Sequence, residues 1–244
     1  MLLFASLQPI VSAALEFPFF EEEVLATLFD LDGDKALGPD GFSLAFWQYS
    51  WDIVKLEVMS FFGEFYDLGS FERSLNAMFL VLVPKKEGAK DLKNFRPISL
   101  IGGLYKLLAK VLANRLKKVV GYLVSKFQHA FVEEKQILDA VLIANEAIDS
   151  RIKDNLKGIL CKLDIEKPCD HVNWSFILVV MEKMGFGSKW IGWIRWCIST
   201  TCFSILINGS PSAFFQSSRG LRQGDPFVSL FVHLGDGGFL SLAL

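Results

Sequence analysis

The sequence predicts an α/β protein of the α+β type, rich in helix, with a small and mostly antiparallel sheet. Three observations predict it. Long segments place apolar residues at helical spacing, clearest over 104–120, 133–153 and 189–198. Short β-rich runs recur at 77–83, 158–165, 201–207 and 213–217. Asn208-Gly209 sits between the last two runs, the strongest short-range signal for a tight hairpin. A chain of 244 residues with 52% hydrophobic content has enough apolar side chain for a sizeable core in one or two domains, which excludes a disordered protein.

From the N-terminus, Phe20–Asp30 has a helical pattern with three Glu in its first turn, matching the positive end of the helix dipole. Asp32–Phe42, D-G-D-K-A-L-G-P-D-G-F, is dense in turn formers and reads as a surface turn. Ser43–Asp67 is helical in period, and its aromatic stripe of Phe46, Trp47, Trp51, Phe61, Phe62 and Phe65 reads as core, with Gly69 as the C-cap. Ala77–Val83 and Phe95–Ile98 read as two strands joined by a basic loop that starts at Pro84-Lys85-Lys86. Leu104–Val120 is amphipathic, with Leu107, Leu108, Val111, Leu112 and Leu116 on one face and Lys106, Lys110, Arg115, Lys117 and Lys118 outside it. Such a face neutralises phosphates without reading sequence, or simply keeps a helix soluble.

Glu133–Lys153 is a long helix, and Gly158–Ile165 a strand. Asn173 caps a helix to Met184, which Gly185 and Gly187 end. Lys189–Ile198 carries Trp190, Trp193 and Trp196 at core spacing, with base stacking as the alternative use of those indoles. After the Asn-Gly hairpin comes S-R-G-L-R-Q-G-D-P (Ser218–Pro226), where Asp225 and Pro226 suit a helix start. The tail from Gly235 reads as a flexible end, and no repeat or clear interdomain linker is apparent.

The net charge of −2 hides a strong asymmetry. Residues 1–72 hold 2 basic and 13 acidic groups, and residues 73–126 hold 12 basic and 2 acidic. A basic block between acidic segments points to a polyanion held in one place, or to a solvated charged face. The four cysteines have no C-x-x-C spacing, and His129, His171 and His233 have no metal-ligand spacing. No Lys or Arg precedes the apolar N-terminal run, so it does not read as a secretory signal, and no other apolar run approaches a membrane span. The expectation is an intracellular protein with reduced thiols, in the nucleus or cytoplasm, with no membrane and no readable oligomeric state.

One carboxylate stands out. Asp164 lies inside the apolar run 158–165, where an unpaired charge is costly. A hard divalent cation is one partner for it; capping the following turn is the other.

The chain resembles the reverse transcriptase domain of plant non-LTR (LINE-type) retrotransposons from about Glu21 to about Leu234. The resemblance rests on D-G-D-K-A-L-G-P-D-G-F, V-P-K-K (Val83–Lys86), N-F-R-P-I-S-L (Asn94–Leu100), K-L-D-I-E-K-P-C-D-H-V-N-W (Lys162–Trp174) and S-S-R-G-L-R-Q-G-D-P, in the family's order. It implies the fingers and partial palm of a right-hand polymerase. The divisions are an N-terminal extension at 1–20, fingers at 21–157, partial palm at 158–234 and a divergent tail at 235–244. It implies RNA-directed DNA polymerase activity with an RNA template, a DNA primer and deoxynucleotides. Two Mg2+ ions about 4 Å apart would flank the in-line displacement.

Residue by residue, the resemblance gives Asp164 the catalytic and metal-binding carboxylate, with the carbonyl of Ile165 assisting. It places Lys85 and Arg96 on the triphosphate, Cys169 under the sugar, and Gln223 and Gly224 beside the nascent pair. Arg219, Arg222, Lys106 and Lys110 would meet nucleic-acid phosphate. Two departures stand out. Pro168-Cys169 replaces the family's Ala-aromatic pair, and the 244 residues contain no adjacent Asp-Asp pair for the remaining metal ligands. The expectation is a polymerase domain fragment, cut before that motif and inactive as this chain. The alternative is a non-catalytic RNA- or DNA-binding remnant that uses the 73–126 block.

Overall fold

A computed structural model describes residues 6–123, 137–155 and 172–222. The helices are α1 (Pro9–Leu15), α2 (Glu21–Asp30), α3 (Leu44–Tyr49), α4 (Trp51–Leu68), α5 (Gly103–Leu123), α6 (Ile137–Lys153), α7 (Trp174–Lys183) and α8 (Ser188–Ser199). The strands are β1 (Ala77–Pro84), β2 (Phe95–Ile101), β3 (Cys202–Ile207), β4 (Ser210–Pro211) and β5 (Phe215–Gln216). The strand run 158–165 and the helix start at Asp225 lie outside the described residues.

The expected hairpin of 77–83 and 95–98 is present, with β1 and β2 antiparallel from Met78 opposite Ile101 to Pro84 opposite Phe95. The Asn-Gly hairpin is present too. Asn208 (φ 52°) and Gly209 (φ 81°) make the left-handed turn that brings Ile207 opposite Ser210. Local pattern did not announce that β3 runs parallel to β1, with Ala77 opposite Cys202. The sheet is therefore mixed, with order β2-β1-β3-β4 and β5 also on β3; among its described pairings three are antiparallel and one parallel.

The core is helical and aromatic. Trp190 and Trp193 of α8 are fully buried, as their spacing predicts. Phe65 of α4 lies 5.5 Å from Trp193 between ring centroids, and Phe19 lies 5.1 Å from Phe62. Leu107, Leu108, Val111, Leu112 and Leu116 are the buried stripe of α5. The expected single helix over 43–67 is two. Ser50 leaves helical backbone (φ −96°, ψ 11°) between them; Trp51 is buried and Tyr49 exposed. Ser43 caps α3 by accepting the Phe46 N–H at 3.0 Å, and Asn173 caps α7 by accepting that of Phe176 at 3.2 Å.

The N-terminal segment is part of this core. Leu7, Leu15 and Phe19 are buried, and Glu16 Oε1 accepts the Trp190 N–H at 2.8 Å. It thereby caps α8, whose own N-cap residue, Gly187, has no side chain to do so. Among the described residues no helix is long and apolar enough to cross a membrane.

Candidate functional site

Two exposed cations stand on one face of the β1–β2 hairpin. Arg96 lies opposite Val83 in the ladder. Lys85 is two residues beyond Val83, and its backbone N–H continues the ladder by donating to the Asn94 carbonyl at 2.8 Å. Side chains two apart in a strand point the same way, so Lys85 and Arg96 share a side. Met78, fully buried, has the opposite parity, so that side faces away from the core. Lys85 Nζ donates to the Lys93 carbonyl at 2.9 Å, which holds the ammonium near the hairpin tip. The same side carries Val83 and Ile98, 40% and 42% exposed, and Phe79, stacked on Phe214 at 6.5 Å. Fixed cations beside an exposed apolar surface suit a ligand with phosphates at one end and a flat base at the other.

The helix α5 behaves differently, and here the structure corrects the expected basic outer face. Arg115 is 6% exposed. Its Nε and Nη2 donate to the two carboxylate oxygens of Glu23 at 2.8 and 2.6 Å. Its remaining N–H groups donate to the carbonyls of Leu15, Phe17 and Pro18, and the guanidinium lies 4.3 Å from the Phe19 ring centroid. Lys110 pairs with Asp30 at 3.2 Å. Lys106 is half-buried. Burial pushes its ammonium below the usual lysine range, nearby Lys35 pushes the same way, and Asp32 opposes them. Asp32 is itself held below the usual carboxylate range, first by its hydrogen bond with Lys35 and then by the Asp34 N–H. Lys106 and Lys110 are therefore turned toward the acidic end of α2 and its loop. Lys117 and Lys118 remain exposed.

The glycine-arginine stretch is described up to Arg222. Gly220 adopts φ 83°, donates its N–H to the Val172 carbonyl at 2.9 Å, and accepts from Trp174 Nε1 at 2.7 Å. The turn is thus tied to the end of the K-L-D-I-E-K-P-C-D-H-V-N-W stretch, and two motifs far apart in sequence meet. Arg219 is exposed. Arg222 is not, which corrects its expected place on phosphate. It is 7% exposed, donates from Nη2 to Tyr105 Oη at 2.6 Å and to the Cys197 carbonyl at 2.9 Å, and lies over the Tyr105 ring at 4.4 Å. In this structure it braces α5 against the end of α8. Asp164, Ile165, Cys169, Gln223 and Gly224 lie outside the described residues. Among the described residues no group of three or more His, Cys, Asp or Glu side chains could hold a metal ion.

The loop 32–42, expected as a surface turn, is docked. Asp40 Oδ2 accepts the Gly103 N–H at 2.6 Å, at the first residue of α5. A Cβ on Gly38 would stand 2.4 Å from the backbone of Ile101 and Gly102. No local sequence signal marks this contact between residues 63 positions apart.

A family model described as reverse transcriptase (RNA-dependent DNA polymerase) matches residues 83–234. The chain is 28% identical over 228 residues to the transposon TX1 uncharacterized 149 kDa protein of Xenopus laevis, covering 93% of this chain and 17% of that protein. It is 26% identical over 202 residues to the retrovirus-related Pol polyprotein from type-1 retrotransposable element R2 of Nasonia vitripennis, covering 81% of this chain and 19% of that one. With the corresponding R2 polyprotein of Popillia japonica the identity is 28% over 151 residues, or 62% of this chain and 21% of that one. The chain spans about a fifth of the length of the curated relatives it matches.

Proposed function

The chain belongs to the reverse transcriptase (RNA-dependent DNA polymerase) family, and from that premise we propose that it is part of the RNA-directed DNA polymerase of a non-LTR retrotransposon. Its substrates are an RNA template, a DNA primer and deoxynucleoside triphosphates, met inside the cell in the nucleus or cytoplasm. The observation that carries this reading is the shared, outward side of Lys85 and Arg96 on the β1–β2 hairpin.

In this reading Lys85 and Arg96 take the triphosphate, Arg offering two parallel donors where Lys offers a point charge. The apolar side chains of Val83 and Ile98 exclude water beside them. Arg219, exposed on the Gly220 turn, meets backbone phosphate. Gln223 and Gly224, which follow Arg222 in the sequence, take the place beside the nascent pair in this reading. Cys169 stands where the family has an aromatic ring under the sugar. Asp164, with the carbonyl of Ile165, would hold the divalent cation, Mg2+ in this reading, which when bound stabilises the attacking and leaving oxygens.

A second reading, RNA or DNA binding without synthesis, is favoured by one observation: Lys85, Lys86, Lys90, Lys93 and Arg96 of the hairpin are all exposed. One experiment separates the two. The purified chain is given Mg2+, a primed RNA template and deoxynucleotides. Template-dependent extension that disappears with Asp164→Ala establishes the polymerase within this chain. Salt-dependent RNA binding that survives Asp164→Ala but weakens with Lys85→Ala and Arg96→Ala, without extension, assigns this chain the binding half of the function. RNA binding and extension both unaffected by the hairpin variants sink the assignment of Lys85 and Arg96.

A further inference from the structure

We propose that Asp40 is a positioning residue for the hairpin that carries Lys85 and Arg96: by accepting the Gly103 N–H, its carboxylate locks the corner where β2 turns into α5. The proposal rests on the reading above that Lys85 and Arg96 face phosphate.

The corner is short. Arg96 lies in β2, which ends at Ile101, and α5 begins at Gly103. Any pivot between Arg96 and α5 must therefore pass through Gly102 and Gly103. Asp40 closes on this pivot from outside it. Its Oδ2 accepts the Gly103 N–H at 2.6 Å, and its Oδ1 accepts its own loop's Phe42 N–H at 3.4 Å, so one carboxylate ties the loop to the helix start.

Contacts without hydrogen bonds tighten the same joint. A Cβ on Gly102 would meet Asp40 Oδ2 at 2.9 Å, and one on Gly38 would meet the carbonyl carbon of Ile101 at 2.4 Å. One on Gly103 would run into the Trp47 indole. Three glycines thus mark close approach at one corner, of Gly38 to backbone, Gly103 to a ring and Gly102 to the Asp40 carboxylate. Gly41, at φ 72° with open space beside it, is needed only to turn the loop back.

On the far side, the first turn of α5 carries Tyr105, whose hydroxyl accepts from Arg222. The first turn of α5 therefore holds the hairpin through Asp40 and the glycine-arginine stretch through Tyr105. Loosening the Asp40 contact leaves the second anchor in place and frees the corner together with the loop 32–42 that the carboxylate ties to it. The effect of Asp40 variants is accordingly local.

The experiment follows backbone amide exchange by mass spectrometry and, in parallel, binding of Mg2+–deoxythymidine triphosphate to the full chain. Asp40→Ala is expected to speed exchange in peptides spanning 95–103 about tenfold or more, a local opening, with peptides from α7 and α8 unchanged. Nucleotide affinity is expected to fall about as far as with Lys85→Ala. Asp40→Asn keeps an acceptor at the same place and should restore most of both.

Unchanged exchange at 95–103 overturns the proposal. So does acceleration spread evenly over the chain, which makes Asp40 a matter of general stability. Unchanged nucleotide affinity despite local acceleration also overturns it. If the unsubstituted chain binds no nucleotide while exchange still accelerates locally, the corner lock stands and the phosphate reading of Lys85 and Arg96 falls. Should Asp40→Ala not remain soluble, Gly102→Ala decides instead, since its Cβ would stand 2.9 Å from Asp40 Oδ2 and disturb the same contact: no change at 95–103 alongside an unchanged nucleotide affinity overturns the role.

Discussion

The basic block 73–126 has two halves with opposite fates. On the β1–β2 hairpin, Lys85, Lys86, Lys90, Lys93 and Arg96 are all exposed, and the ion pair of Lys93 with Asp91 at 3.9 Å joins two side chains that are mostly in water. On α5, Arg115 is buried against Glu23, Lys110 is paired with Asp30, and Lys106 is half-buried near Asp32. The acidic N-terminal segment serves as internal counterion for the helix and leaves the hairpin to any external one. Counting charges along a chain finds the block; only the fold divides the cations it has already neutralised from those still able to bind phosphate.

The contrast can be broken most severely at Arg115. Removing Glu23 leaves a guanidinium in the core with two of its bonds lost, a situation that typically costs about 3–5 kcal/mol. Glu23→Ala should therefore lower the urea unfolding midpoint sharply while leaving the m-value alone. A loss under about 1 kcal/mol would place Arg115 among ordinary surface pairs and dissolve the distinction between the halves.

Substituting the hairpin tests the other side. Lys85→Ala combined with Arg96→Ala should change stability by no more than about 0.5 kcal/mol, because both side chains are exposed and away from the core. Binding of single-stranded RNA should lose roughly 1.4 from the slope of log affinity against log salt, at about 0.7 per phosphate neutralised. A stability loss with no change in slope would reverse the roles assigned to the two halves.

The local signals in the chain were legible where each element depends on its own neighbours. Asn173 capping α7, the Asn208-Gly209 turn, the buried indoles of α8 and the β1–β2 hairpin all follow from spacing and residue type within a few positions. Arg115 stands seven residues after Leu108 and four after Val111, so helical period places it inside the buried stripe; its charge argued for solvent instead, and its partner Glu23 lies 92 residues away. Arg222 misled for the same reason, its partners Tyr105 and Cys197 being 117 and 25 residues distant. The loop 32–42 read as a turn because turn formers are what it contains; its docking depends on Gly102 and Gly103 having no side chains at the far end of the contact. The break at Ser50 was hidden inside a continuous aromatic stripe.

Lys110 gives a smaller, sharper test. Its ion pair with Asp30 is partly exposed, so Lys110→Ala should cost about 0.2–1 kcal/mol. RNA affinity should stay within twofold or so of the unsubstituted chain, since the charge is already balanced inside the fold. An RNA-binding loss as large as that of the hairpin pair would return α5 to the nucleic-acid surface.

The smallest expected effect concerns Lys106. Burial, reinforced by Lys35 and opposed by Asp32, holds its folded-state pKa below the ordinary value of 10.5. In the pH window just below that value the unfolded chain keeps the proton while the folded chain has begun to release it. The unfolded state then binds more protons, so this group's contribution makes stability rise with pH across the window. Lys106→Met removes the titration. Urea unfolding at about pH 8 and about pH 10 should show the unsubstituted chain gaining on the variant as pH rises. A gap that stays constant, or moves the other way, would mean that Lys106 is solvated like the hairpin lysines, and that the acidic segment covers less of α5 than the positions of Asp30 and Asp32 indicate.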